Sequence, residues 1–307
     1  MALPLAAARG YRGCAARGDD MIEIASARLT AAINPHGAEL SSLRDPAGRE
    51  LMTDGDPAFW SGRAPLLFPI VGRLVGDRYR LDGKDYSLPQ HGFARRRDFA
   101  LVEQGADRAT FRLQDDAETR AVYPFAFTLD ATYRLEETTL WIEIAVTNRD
   151  TRDMPASFGF HPAFAWPLPY GRARADHRIL FDEPEFSSLR YIGEGGIAPD
   201  RRTSPVEGRA LPLSDDLFTA DALIWDQLAS RGLLYGAEDG PQLRIRFPDT
   251  GLLGIWTKPG ARFVCVEPWW GIADPAGFDG EIWNKPGIQR LAPGETRRFG
   301  MDVTLVD

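Results

Sequence analysis

Cysteine is almost missing from this 307-residue chain, which holds only Cys14 and Cys265. Two thiols cannot build a disulfide framework or a zinc cluster, so a reducing, cytoplasmic setting is expected. Long apolar runs are absent too. No stretch approaches the ~20 residues that span a bilayer, which excludes a membrane helix. Positive charge is in deficit: the formal net charge is -8. That balance argues against a nucleic-acid partner, whose phosphates need clustered Lys and Arg. Helical periodicity is scarce, because 30 Gly and 23 Pro interrupt nearly every window. There is no repeat of fixed length and no linker rich enough in Ser, Gly or Pro to divide the chain.

Alternation is what the chain does have. Phe127, Leu129, Ala131, Tyr133 and Leu135 fall on one face of an extended segment. Leu140, Ile142, Ile144 and Val146 do the same, as do Phe299, Met301, Val303 and Leu305. Period two is the pattern of a half-buried strand. RYRLDGKDYSL predicts a hairpin with Asp82-Gly83 at its turn. Many short strands separated by turn residues predict an all-β sandwich of large antiparallel sheets with few helices. Residues 1–20 lack the charged start and long apolar core of a signal peptide and read as a disordered extension. Residues 21–307 read as one domain. Residues 193–209 are the best loop candidate, placed to cover a site.

Four histidines are available for proton transfer near neutral pH. His36, in a turn-like string, and His177, among charges, read as solvated. His161 lies in SFGFHPAFAWPL and His91 in LPQHGFARR, where the following glycine permits close approach. Each alone is as readily structural. Glu267 stands out more, because it follows the apolar run FVCV and precedes Pro268-Trp269-Trp270. A carboxylate at the end of a buried strand is costly unless it is paired or used, and burial raises its pKa toward a useful range. Aromatic rings beside a carboxylate suit sugars, which present apolar C–H faces and hydroxyl edges. Cys265, two residues earlier, should pack on the same side of the strand. Arg73, ending LLFPIVGRL, needs a partner or a ligand. Asp221 and Asp226, in DALIWD, are candidate acceptors for hydroxyls, or ordinary turn residues. The run Arg95-Arg96-Arg97 reads as a solvated face.

The strings APLLFPIVGRL, HGFARRRDF, FGFHPAF, DALIW, VCVEPWWGIAD and KPGIQRLAPGE occur in this order. Together they resemble the aldose 1-epimerase (galactose mutarotase-like) family, most of all its shorter bacterial branch, from residue 21 to the C-terminus. The resemblance implies a β-supersandwich and an isomerase acting on a monosaccharide. It implies His161 as general acid and Glu267 as general base, with Arg73, His91 and Asp221 holding the sugar and Trp269 beside it; Asp226 is the alternative to Asp221. Phe160 and Pro162 flank His161 where the better-known galactose enzymes carry Asn-His-Ser, which puts galactose itself in doubt. No metal or redox cofactor is implied. On this reading His161 starts protonated and Glu267 ionised, which predicts a bell-shaped pH profile. The rival readings are a hexose-6-phosphate epimerase using Arg95, Arg96 and Arg97 for phosphate, and a non-catalytic carbohydrate-binding protein on the same scaffold.

Overall fold

The alternating segments are strands in the computed structural model, which describes residues 21–307. The expectations for residues 1–20, Cys14 included, lie outside the described residues. Phe127–Glu136 pairs antiparallel with Thr139–Asn148, and Thr296–Val306 joins the far side of the latter. Every apolar residue of the three alternating sets is buried. The opposite face carries polar cross-strand pairs, such as the Thr139–Thr304 hydroxyl contact at 2.8 Å and the two-bond Arg112–Asp130 pair. These three strands anchor a nine-stranded antiparallel sheet that runs from Ala210–Pro212 at one edge to Ala100–Gln104 at the other.

A five-stranded sheet lies against it, built around Phe263–Trp270. The two sheets share one apolar core. Phe158, from the smaller sheet, stacks on Phe299 of the larger at 5.2 Å between ring centroids, and Trp270 meets the same ring at 5.1 Å. Burying each such ring stabilises the fold by about 1.5–3 kcal/mol. The Asp82-Gly83 turn joins Arg78–Leu81 to Lys84–Ser87, with both turn residues at positive φ as a two-residue hairpin requires. One α-helix occurs among the described residues, Ala117–Val122, started by a capping box between Asp116 and Thr119. No helix among the described residues is long and apolar enough to cross a membrane.

One expectation fails here. His177 is buried rather than solvated: its Nε2 accepts the Leu168 N–H at 2.9 Å and its Nδ1 lies 3.0 Å from the Ala173 carbonyl. It points inward from the strand His177–Phe181, whose alternation the charged neighbours obscured. His36 is exposed and meets Asp98 at 2.7 Å.

Candidate active site

Strand Phe263–Trp270 is buried along its whole length, so its alternation sorts residues between two interiors. Val264, Val266 and Trp270 enter the core between the sheets. Cys265, Glu267 and Trp269 face the other way, and Glu267 and Trp269 line a cavity of about 490 Å³. Two neighbouring glycines make room for the Trp269 ring. A Cβ at Gly159 would lie 2.7 Å from its Cδ1, and one at Gly254 would lie 2.6 Å from its Cζ2 and Cη2. Both glycines sit on strands that flank Phe263–Trp270. Gly254→Ala should therefore push the indole out of place, costing about 1–3 kcal/mol, and should weaken binding of any ligand that packs on Trp269. A thermal melt and a KM on the same preparation check both effects; wild-type values in both would refute the assigned role of Gly254.

His161 reaches the same wall from the turn after Phe158–Gly159. Its Nε2 lies 3.2 Å from Glu267 Oε2, although the two residues are far apart in sequence. Both side chains are almost fully enclosed, and His161 Nδ1 is buried without a partner. Trp60 lies over the imidazole at 4.9 Å, and Trp256 meets it edge-on at 6.0 Å. Burial lowers the His161 pKa to about 3, against a small opposing backbone contribution, and the charge of Arg95 lowers it further. Burial likewise raises the Glu267 carboxyl well above its usual range; the Trp269 indole works against this rise and the Asp221 charge adds to it.

His91 lines the cavity with its imidazole ring 5.9 Å from that of His161. It takes φ 64, and Gly92 follows with φ 70 where any Cβ would lie 2.2 Å from the Phe68 carbonyl. That turn aims the ring. The Gly72 N–H donates to His91 Nδ1 at 3.1 Å. An acceptor at Nδ1 places the ring's single proton on Nε2, where Gln90 lies at 3.3 Å and must present its amide oxygen. Burial keeps this ring neutral, helped by the nearby His161 and Arg95.

Arg73, Asp221 and Trp269 also line the cavity. Arg73 is exposed and pairs with Asp77 at 3.3 Å. Asp221 sits at the rim with φ 76. Asp226 does not line the cavity; it is held by Arg201 at 2.8 Å, with Arg190 at 3.8 Å. Ile192, just before the loop candidate, and Ile197, within it, form another wall as part of a short hairpin. The reading of Arg95-Arg96-Arg97 as a solvated face fails at its first member. Arg96 is exposed and Arg97 pairs with Glu118 at 2.6 Å, but Arg95 turns into the cavity.

Sequence reasoning missed Trp60, Trp256 and Gln90, and raised Arg95 only in the rival phosphate reading. The two tryptophans had no charged residue adjacent to set them apart, and Arg95 was hidden in its basic run. Cys265 is buried beside the pair as expected. The ligand atoms of His161, Cys265 and Glu267 lie within 4.8 Å of one another, a spacing that a soft divalent cation can bridge. Burial keeps the thiol protonated, so a cation would have to displace that proton.

Comparison with known proteins agrees with this fold. The family described as aldose 1-epimerase matches residues 20–183. The chromosomal LacX protein of Lactococcus lactis is 32% identical over 297 residues, covering 93% of this chain and 99% of that protein. A galactose mutarotase related enzyme from Lactobacillus acidophilus superposes with a TM-score of 0.88 at 33% identity, covering 94% of this chain and 98% of that one. A galactose mutarotase-like protein from Lactobacillus casei gives 0.85 at 33% identity, with coverage of 94% and 100%.

Proposed function

From the premise that this chain belongs to the aldose 1-epimerase family, we propose that it interconverts the α and β anomers of a monosaccharide through His161 and Glu267. The observation that carries this reading is the 3.2 Å contact between an imidazole and a carboxyl group on the wall of a sugar-sized cavity.

The pair starts in a different proton arrangement from the one expected on sequence. With His161 drawn down and Glu267 pushed up, the enclosed resting pair is neutral: a carboxylic acid donates to the imidazole. The cause is desolvation, which penalises both charged forms. The number of protons on the pair is unchanged. Moving one proton across the contact gives a carboxylate base and an imidazolium acid.

A sugar then completes the reaction. Its O1–H gives a proton to Glu267 while His161 gives one to the ring oxygen. The C1–O5 bond breaks and C1=O1 forms. Rotation about C1–C2 presents the other face of the aldehyde, and closure returns each proton to its source. Each proton transfer contributes about 10²–10⁴-fold in rate. His91, neutral and fixed by Gly72 and Gln90, lies against the sugar; Arg73 and Asp221 bind hydroxyls at the rim, and Trp269 packs against a C–H face.

The pH behaviour follows from the directions of the shifts. The rate should be flat through the neutral range, because neither group changes protonation there. It should fall in acid as His161 gains a second proton for the pair, and in alkali as Glu267 loses its own. A narrow bell centred near pH 6 in a plot of kcat against pH would contradict the neutral pair.

Stability carries the same signature. Glu267 has a folded pKa above its unfolded value, so its contribution is complete below about pH 4.5 and declines as pH rises toward the folded pKa. His161 acts oppositely: its folded pKa is depressed, so stability is lost as pH falls from 6.5 toward about 3. Glu267→Gln removes only the first effect. Its melting temperature should exceed that of wild type by a margin that grows as pH rises above 4.5. A constant margin across that range would show that Glu267 is not held protonated.

A further inference from the structure

Arg95 is a cation the mechanism above does not use. Its backbone is fixed: Ala94 beneath it is buried, and a Cβ on Gly37 would come within 3.1 Å of the Arg95 carbonyl. Its side chain is half-buried in the cavity wall. One guanidinium nitrogen, Nη2, donates to the Gln90 carbonyl at 2.9 Å, while Nε is buried with no partner. Among the described residues no carboxylate forms a salt bridge with it within 4.0 Å, whereas Arg73 has one such partner and Arg97 two. The acid nearest in effect is Glu39, whose Oε1 accepts the Arg63 and Ala64 N–H groups. A desolvated guanidinium with free donors and no counter-ion is costly unless a ligand supplies the anion.

Its place relative to the pair defines which part of a sugar it meets. Arg95 is held by the carbonyl of Gln90, the residue before His91, whose ring lies 5.9 Å from that of His161. Resting on the proposed mutarotase reading, His161 stands at the ring oxygen. The ring oxygen is bonded to C1 and C5, and C1 belongs to Glu267. The substituent that comes under Arg95 is therefore the one on C5. Two arginines line the cavity: Arg73, assigned above to hydroxyls, carries Asp77 beside it, and Arg95 has no carboxylate among the described residues, so the net match is to a single negative charge. We propose that the sugar carries a carboxylate at C6, as a hexuronic acid does, and that Arg95 binds it. A dianionic phosphate would require a second free cation at that point.

The test measures anomer exchange by NMR on glucose, glucuronate and glucose 6-phosphate, with wild type, Arg95→Gln and Arg95→Lys. Wild type should show its highest kcat/KM on glucuronate. Arg95→Gln should lower the glucuronate-to-glucose ratio by about 10–100-fold, the value of a charge-assisted bond, and Arg95→Lys should recover part of it. An unchanged ratio in Arg95→Gln overturns the proposal, as does a wild-type preference for glucose 6-phosphate. Exchange of none of the three sugars would defeat the mutarotase reading instead. Calorimetric titration with glucuronate then decides the role of Arg95 without turnover: binding that weakens by about 10–100-fold in Arg95→Gln supports it, and absent or equal binding overturns it.

Discussion

In Glu267→Gln, catalysed anomer exchange should fall by about 10²–10⁴-fold, and His161→Ala should fall by a similar factor. Each removes one end of a shared proton path. The amide introduced by Glu267→Gln preserves the hydrogen bond across the 3.2 Å contact but has no proton to exchange. The double variant should be scarcely slower than either single one, because the two groups act as a unit and half of the pair cannot pass a proton through. Polarimetry on freshly dissolved sugar reads the rate, and circular dichroism confirms that the fold is retained. Near-wild-type rates in both folded single variants would remove the pair from the mechanism. Additive losses in the double variant would mean that the two groups act on separate steps.

The second large effect is expected far from the proton path. Lys285 is buried, and its ammonium donates to the Ile272 carbonyl at 2.6 Å and to Asp274 Oδ1 at 2.7 Å. The other Asp274 oxygen accepts the Val75 N–H at 2.9 Å, and the Asp274 N–H donates to the Arg73 carbonyl at 3.0 Å. This buried pair joins the turn that carries Arg73 to the wall formed by Ile272 and Ala273. Gly72 lets those two segments touch, since a Cβ there would lie 2.5 Å from Ala273 Cβ. Lys285→Met leaves the Asp274 carboxylate buried with only the Val75 N–H, a change that costs about 3–5 kcal/mol. At roughly 2–4 °C per kcal/mol the melting temperature should drop by on the order of 10 °C. Lys285→Met combined with Asp274→Leu should recover part of the loss, because no uncompensated charge remains inside. A single variant that melts within a degree of wild type would show that the pair does not hold these segments.

How much of this could be read beforehand differs from residue to residue. The three long alternating strands needed nothing beyond period two, because one face of each is buried and the other is not. His177 shows where that reasoning slips: two arginines and an aspartate around it pointed outward, and the composition of the window concealed one inward residue. Arg95 failed for the same reason in a basic run. The resemblance favoured Asp221 over Asp226, although the residues alone did not separate them, and the fold puts Asp221 at the cavity rim and Asp226 between two arginines. Lys285 belonged to a recognisable string, KPGIQRLAPGE, but the buried acid it meets was not visible in it.

By itself the sequence determined the all-β class, the inward faces of the principal strands, the Asp82-Gly83 hairpin and the few side chains able to move protons. These follow from local spacing and from the chemistry of single residues. The tertiary structure alone decided that His161 and Glu267 touch, that both are buried in a cavity wall, and that desolvation draws the imidazole pKa down and the carboxyl pKa up. Contact between distant segments and the strength of desolvation depend on how the whole chain packs, and no short window of sequence contains either.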